Sequence, residues 1–167
     1  SGKTALFKGL AALREMVLTD PGVDGLLPIQ PFLLDSQSAM SPTMFDITFL
    51  AGKTTYRLVL EATRFSVSYE SLEIVKEGQT IDVYERDASR DARFQLNRDF
   101  FSDPDHVRYA AKSTRDNQVF LGAGFSQNID ELGEPFGWFA ETLELVGVES
   151  QAWSFATAAT DREDFLR

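Results

Sequence analysis

The period of the apolar residues changes twice along this chain, and that change restricts the fold more than any other feature. Leu6, Leu10, Leu13 and Val17 recur at spacings of three to four, which predicts a helix with one apolar stripe suited to packing on a sheet. Thr19-Asp20-Pro21-Gly22 breaks that pattern, and a connector with Pro28 and Pro31 follows. From Met44 the period falls to two. Phe45, Ile47 and Phe49 alternate with Asp46 and Thr48, Ala51-Gly52-Lys53 turns the chain, and Tyr56, Leu58 and Leu60 alternate on the way back. Residues 44–61 therefore read as a β-hairpin, with further strands expected at 65–75 and 79–86, joined at Glu77-Gly78, and a short one near 93–96. The period then returns to helical. Asp103-Pro104-Asp105 opens a helix running to about Lys112, with Asp103 at the N-cap and Pro104 at the first helical position. Three more helices are expected at 116–125, 130–145 and 152–165. The fold class is α+β: an N-terminal helix, an antiparallel meander packed on one face, then several helices.

Composition narrows the class further. The 167 residues suffice for one domain with a real core, and 43% hydrophobic residues describe a globular chain and not a disordered one. A formal charge of −10, from 16 basic and 26 acidic residues, argues against a surface that coats nucleic acid, while leaving room for a local basic groove. The absence of cysteine excludes disulfides, Cys-ligated zinc and thiol catalysis, and fits a reducing cytoplasm, the expected location. No apolar run approaches the roughly twenty residues that cross a bilayer, so no membrane partner is expected.

The first helix opens on Ser1-Gly2-Lys3-Thr4, which fills the last positions of the phosphate-binding pattern G-x-x-x-x-G-K-S/T. In that pattern backbone N–H groups wrap the phosphates, the Lys reaches the β/γ oxygens and the hydroxyl ligates Mg²⁺. A helix start supplies unpaired N–H groups and a positive dipole end for the same anion. Ser1, Gly2, Lys3 and Thr4 are thus candidates for binding ATP, and Thr4 for holding Mg²⁺. The glycine five positions earlier and the strand that would deliver the chain into the loop are not in this sequence, so it reads as part of a longer protein.

Several strings taken together resemble a family. S-G-K-T-A-L-F-K-G-L at 1–10, P-F-L-L-D at 31–35, F-D-I-T-F-L at 45–50, T-Y-R-L-V-L at 55–60, R-D-N-Q-V-F-L at 115–121 and G-W-F at 137–139 are similar to the ABC-class AAA-like ATPases of the AbiLii and RloA type, relatives of the OLD-family ATPases of phage-defence operons. The resemblance spans most of the chain and implies one partial ATPase-head domain over 1–167. Its parts are a P-loop helix (1–20), an antiparallel β-subdomain (44–96) and a helical part (103–165). It further implies that Lys3 holds the β/γ-phosphates, that Thr4 helps hold Mg²⁺, and that Gln127, in F-S-Q-N, stands near the glutamine that senses Mg²⁺ and the attacking water. The family's signature motif, its apolar strand ending in Asp-Glu and its switch His are not found here. The partners implied are therefore the remaining lobe of the same protein, a second ATPase head in a homodimer or higher oligomer, and an effector such as a nuclease; DNA is possible. No catalytic residue is expected in this chain, which by itself should be catalytically silent.

The other candidates read as structural. His106 is the only histidine, which excludes His clusters, and its place inside a helix start predicts a surface residue. Glu131, Glu134, Asp161, Glu163 and Asp164 read as helix surface. The string Asp82, Glu85, Arg86, Asp87, Arg90, Asp91, Arg93 reads as a solvated turn with mixed-sign pairs. Arg108, Lys112 and Arg115 fall at helical spacings and could form a basic stripe. Trp138 and Phe139 read as core anchors. The alternative to an ATPase part is a non-enzymatic interaction domain whose S-G-K-T is coincidental, with the meander as docking platform.

Overall fold

The computed structural model describes residues 2–29 and 41–145. Helix α1 (Gly2–Leu18) is followed by β1 (Thr43–Ala51), β2 (Thr54–Ala62), β3 (Val67–Lys76), β4 (Gln79–Asp87) and β5 (Phe94–Leu96). These five strands form one sheet in the order β1-β2-β3-β4-β5, antiparallel throughout. Helices α2 (Pro104–Ser113) and α3 (Phe120–Ser126) come next, then a 3₁₀ turn (Asp130–Leu132), the short α4 (Gly133–Gly137) and a π-helical turn (Trp138–Thr142). The chain is α+β, a meander with helices over its inner face. The helix expected at 152–165 lies outside the described residues.

Strand register explains the core. Leu60, Glu70, Arg86 and Phe94 stand in one row across the sheet, and Leu58, Leu72, Tyr84 and Leu96 in the next, because alternate residues share a face. Leu58, Leu60, Leu72 and Tyr84 are buried under Leu13, Met16 and Val17 of α1, Phe120 and Leu121 of α3, and Leu132 and Phe139 beyond it. Trp138 stacks on Phe49 with ring centroids 4.4 Å apart, and Phe139 meets the same ring edge-on at 5.3 Å. The outward face is polar. There Arg57 bridges Asp46, at 2.7 Å, and Glu73, at 3.5 Å, and the Arg57 hydrogen bond holds the Asp46 carboxyl below its usual range.

Three boundaries differ from the sequence reading, each for a local reason. The third strand begins at Val67, since the Thr63 hydroxyl accepts the N–H groups of Phe65 and Ser66 and fixes a turn there. The helix expected from 116 begins only at Phe120, because residues 115–118 close a turn in which Arg115 N–H donates to the Gln118 side chain and Gln118 N–H to the Arg115 carbonyl. The helix expected over 130–145 is broken into three pieces. Pro135 has no N–H to continue the 3₁₀ turn into a regular helix, and Leu143 N–H reaches back five residues to Trp138 O at 2.8 Å.

Helix α1 is fastened at one end only. Gly122 of α3 lies so close to Val17 that a β-carbon there would sit 2.0 Å from the Val17 carbonyl oxygen, so only glycine permits the contact. Arg14 donates to the carbonyls of Phe139, at 2.8 Å, and Ala140, at 3.2 Å. Residues 2–8, by contrast, are exposed. The stripe predicted to pack on the sheet is therefore buried only at its C-terminal end: Leu13 and Val17 are covered, while Leu6 is 64% exposed.

Candidate functional site

Gly2, Lys3 and Thr4 form the first turn of α1 and all three are exposed. Ser1 lies outside the described residues. The first turn carries no acidic residue that would occupy the helix start from within, and the Lys3 side chain makes no hydrogen bond or ion pair among the described residues. A helix start with an exposed lysine beside it is an arrangement that favours an anion. Among the described residues no group of three or more His, Asp or Glu could hold a metal ion.

Gln127 is not brought to that turn. It caps α3, where its Oε1 accepts from the Ser113 hydroxyl at 3.1 Å and its Nε2 donates to Ala123 O at 3.3 Å. α3 meets α1 at Val17, and at 1.5 Å per residue Val17 lies about 22 Å along the helix from Gly2. The amide that the resemblance sets near the glutamine sensing Mg²⁺ and the attacking water is, within this chain, a tie between α2 and α3.

His106 is half-buried near the start of α2, in keeping with its expected place, and it is also tied down: Asp103 caps α2 by accepting its N–H at 3.0 Å, and its Nε2 lies 2.7 Å from Gln127 O, which requires that nitrogen to carry the proton. Three readings of structural residues change. Glu131 and Glu134 are not idle helix surface. Glu131 accepts from Ser102 N–H at 2.5 Å; burial pushes its carboxyl up, but the Ser102 bonds outweigh this and hold it below its usual range. Glu134 accepts from the Tyr56 hydroxyl at 2.7 Å, and burial together with Glu134 drives that phenol far above its ordinary value. Arg115 is no part of a stripe with Arg108 and Lys112, since α2 ends at Ser113 and its guanidinium pairs with Asp20.

The largest correction concerns Arg86, expected in a solvated turn but only 1% exposed. It sits beside Glu70, which is 0% exposed, in the centre of the inner face. Glu70 Oε2 accepts from Phe120 N–H at 2.8 Å, and Oε1 accepts from Leu121 N–H at 3.0 Å and from the Tyr84 hydroxyl at 2.7 Å. A carboxylate from β3 thereby caps α3, whose own N-cap, Val119, has no side chain able to do so. Arg86 donates to Gln118 O at 2.7 Å and Arg115 O at 3.1 Å and lies 3.9 Å from Glu70 Oε2. Burial pushes the Glu70 carboxyl up against the opposing pull of Arg86, and pushes the Arg86 guanidinium down. The sequence held one signal for this network: Glu70 has the parity of Leu72 and Ile74, so alternation assigns it to the buried face.

Comparison with family models, curated proteins and solved structures gives no match to this chain. No helix among the described residues is long and apolar enough to cross a membrane.

Proposed function

We propose that this chain is the ATP-binding part of an ABC-class ATPase, of the AbiLii and RloA type, in which ATP binding and hydrolysis control an effector in defence against phage. The observation that carries this reading is the Gly2-Lys3-Thr4 run at the start of a 17-residue helix, with the motif's end exposed and the far end fastened in the core. The helix start and Lys3 would hold the β/γ-phosphates, and Thr4 would be one Mg²⁺ ligand. Bound Mg²⁺ would neutralise charge developing on the transferred phosphoryl group. This chain's own residues would bind and orient. The group that orients water, and the second half of the site, would come from another lobe or a second head.

Lys3→Ala is the test. Titration with Mg²⁺ and ATP should show binding weakened at least about tenfold, the scale of one lost charge-assisted contact to phosphate, with an unchanged melting temperature. Equal binding by both proteins would overturn the reading. A docking platform is the second reading, and it rests on Leu6 and Phe7 of α1 and Met44 and Leu50 of edge strand β1, all exposed.

A further inference from the structure

The chain has a formal charge of −10, yet one cleft of about 500 Å³, between β5 and α2, gathers positive charge. Arg93 and Arg98 flank β5, Arg108 and Lys112 stand one turn apart on α2, and Arg86 forms part of the wall; among the described residues Asp91 is the only acidic one lining it. Part of this charge is matched, since Arg93 pairs with Asp116 and Arg86 lies 3.9 Å from both Glu70 and Asp116, and the surplus falls on Arg98, Arg108 and Lys112. Lys112 makes no ion pair among the described residues. Arg98 and Arg108 share the single carboxylate of Asp105, at 3.9 and 3.3 Å, and all three side chains are well exposed, so these pairs are weak.

Arg86 itself is closed off: its Nε is buried and its other nitrogens are committed to the Gln118 and Arg115 carbonyls, so it walls the inner end of the cleft without offering it a hydrogen bond. The Arg86 guanidinium also lies 5.6 Å from the centroid of the Phe94 ring, which with Leu96 and Ala111 gives the cleft an apolar floor. Guanidinium forks suit phosphate oxygens, an apolar floor suits a planar or hydrophobic body, and the volume is that of a small-molecule site.

We infer that the β5–α2 cleft binds a phosphorylated small molecule of nucleotide size. Its phosphates lie on Arg98, Arg108 and Lys112, and its body on Phe94 and Leu96. A nucleic-acid strand is disfavoured because Asp91 lines the cleft and Asp105 and Asp116 pair with its arginines, so a backbone continuing past it would meet carboxylates. This site is separate from the turn at Gly2-Lys3-Thr4 and does not depend on it.

The test is calorimetric titration with ADP, pyrophosphate and a short single-stranded oligonucleotide, all in the Lys3→Ala background so that the α1 turn contributes nothing. ADP and pyrophosphate should bind in competition with one another. The further pair R108E/K112E, both exposed positions, should weaken ADP at least about tenfold at an unchanged melting temperature. Absence of saturable binding at millimolar ADP and pyrophosphate would overturn the proposal, as would equal affinity in the charge-reversed protein. Tighter binding of the oligonucleotide than of ADP would overturn it in favour of a nucleic-acid surface.

Discussion

Glu70 does the work of a helix cap, a phenol acceptor and a counter-charge at once, and all of it out of contact with water. Gln at this position keeps the shape and one acceptor oxygen but puts an NH₂ where a donor already points. Glu70→Gln should therefore cost about 1–3 kcal/mol, the penalty of leaving a buried donor unsatisfied. That cost should depend on pH in a defined direction. Burial raises the folded-state value of this carboxyl above its ordinary value. Between the two values the folded chain holds a proton that the unfolded chain has released, so stability falls as pH rises. Glu70's proton-linked contribution is whole below its ordinary value and is lost as pH climbs through the raised one. Urea midpoints taken across that window should show the advantage of the native protein over Glu70→Gln narrowing as pH increases; a constant gap would mean that the carboxyl titrates where a solvated one does.

Among the elements, the β3–β4 hairpin carries a correctable strain. Lys76 pairs with Gln79, which leaves Glu77 and Gly78 as the two turn residues, and both have positive φ, 44° and 81°. This is the backbone of a type I′ turn, in which glycine sits without strain and a glutamate does not. Glu77→Asn, the residue that tolerates this conformation best after glycine, should raise stability by about 0.5–1 kcal/mol, read as a higher melting temperature. The hairpins were legible in the sequence because both of their signals are local: alternation for the strands, and Gly52 and Gly78 for the turns. The start of α3 was not, since its cap is Glu70, fifty residues earlier in the chain. The broken segment after Ile129 had a local cause, Pro135, that apolar spacing alone overrode. The cleft was legible by half: Arg108 and Lys112 follow from helical spacing, but Arg93 and Arg98 reach it through the pairing of β5 with β4.

At the scale of the whole molecule, α1 joins two unlike environments. Its second half is held by Leu13, Met16 and Val17 in the core and by Arg14 on the carbonyls that end the π-helical turn. Its first two turns touch little, so their backbone hydrogen bonds stand in water and open at small free-energy cost, whereas those near Val17 open only with the core. A ligand that binds the folded helix start alone stabilises that state by mass action, about 2.7 kcal/mol at a hundredfold excess over Kd. Most of that energy should appear where opening was previously cheap. Native hydrogen exchange with and without Mg²⁺ and ATP should thus slow the amides of residues 5–10 while leaving those of 13–18 nearly unchanged, and Lys3→Ala should abolish the difference. If protection instead rises around Phe94 and Arg108 with α1 unaffected, nucleotide is bound at the β5–α2 cleft and the α1 turn is no phosphate site.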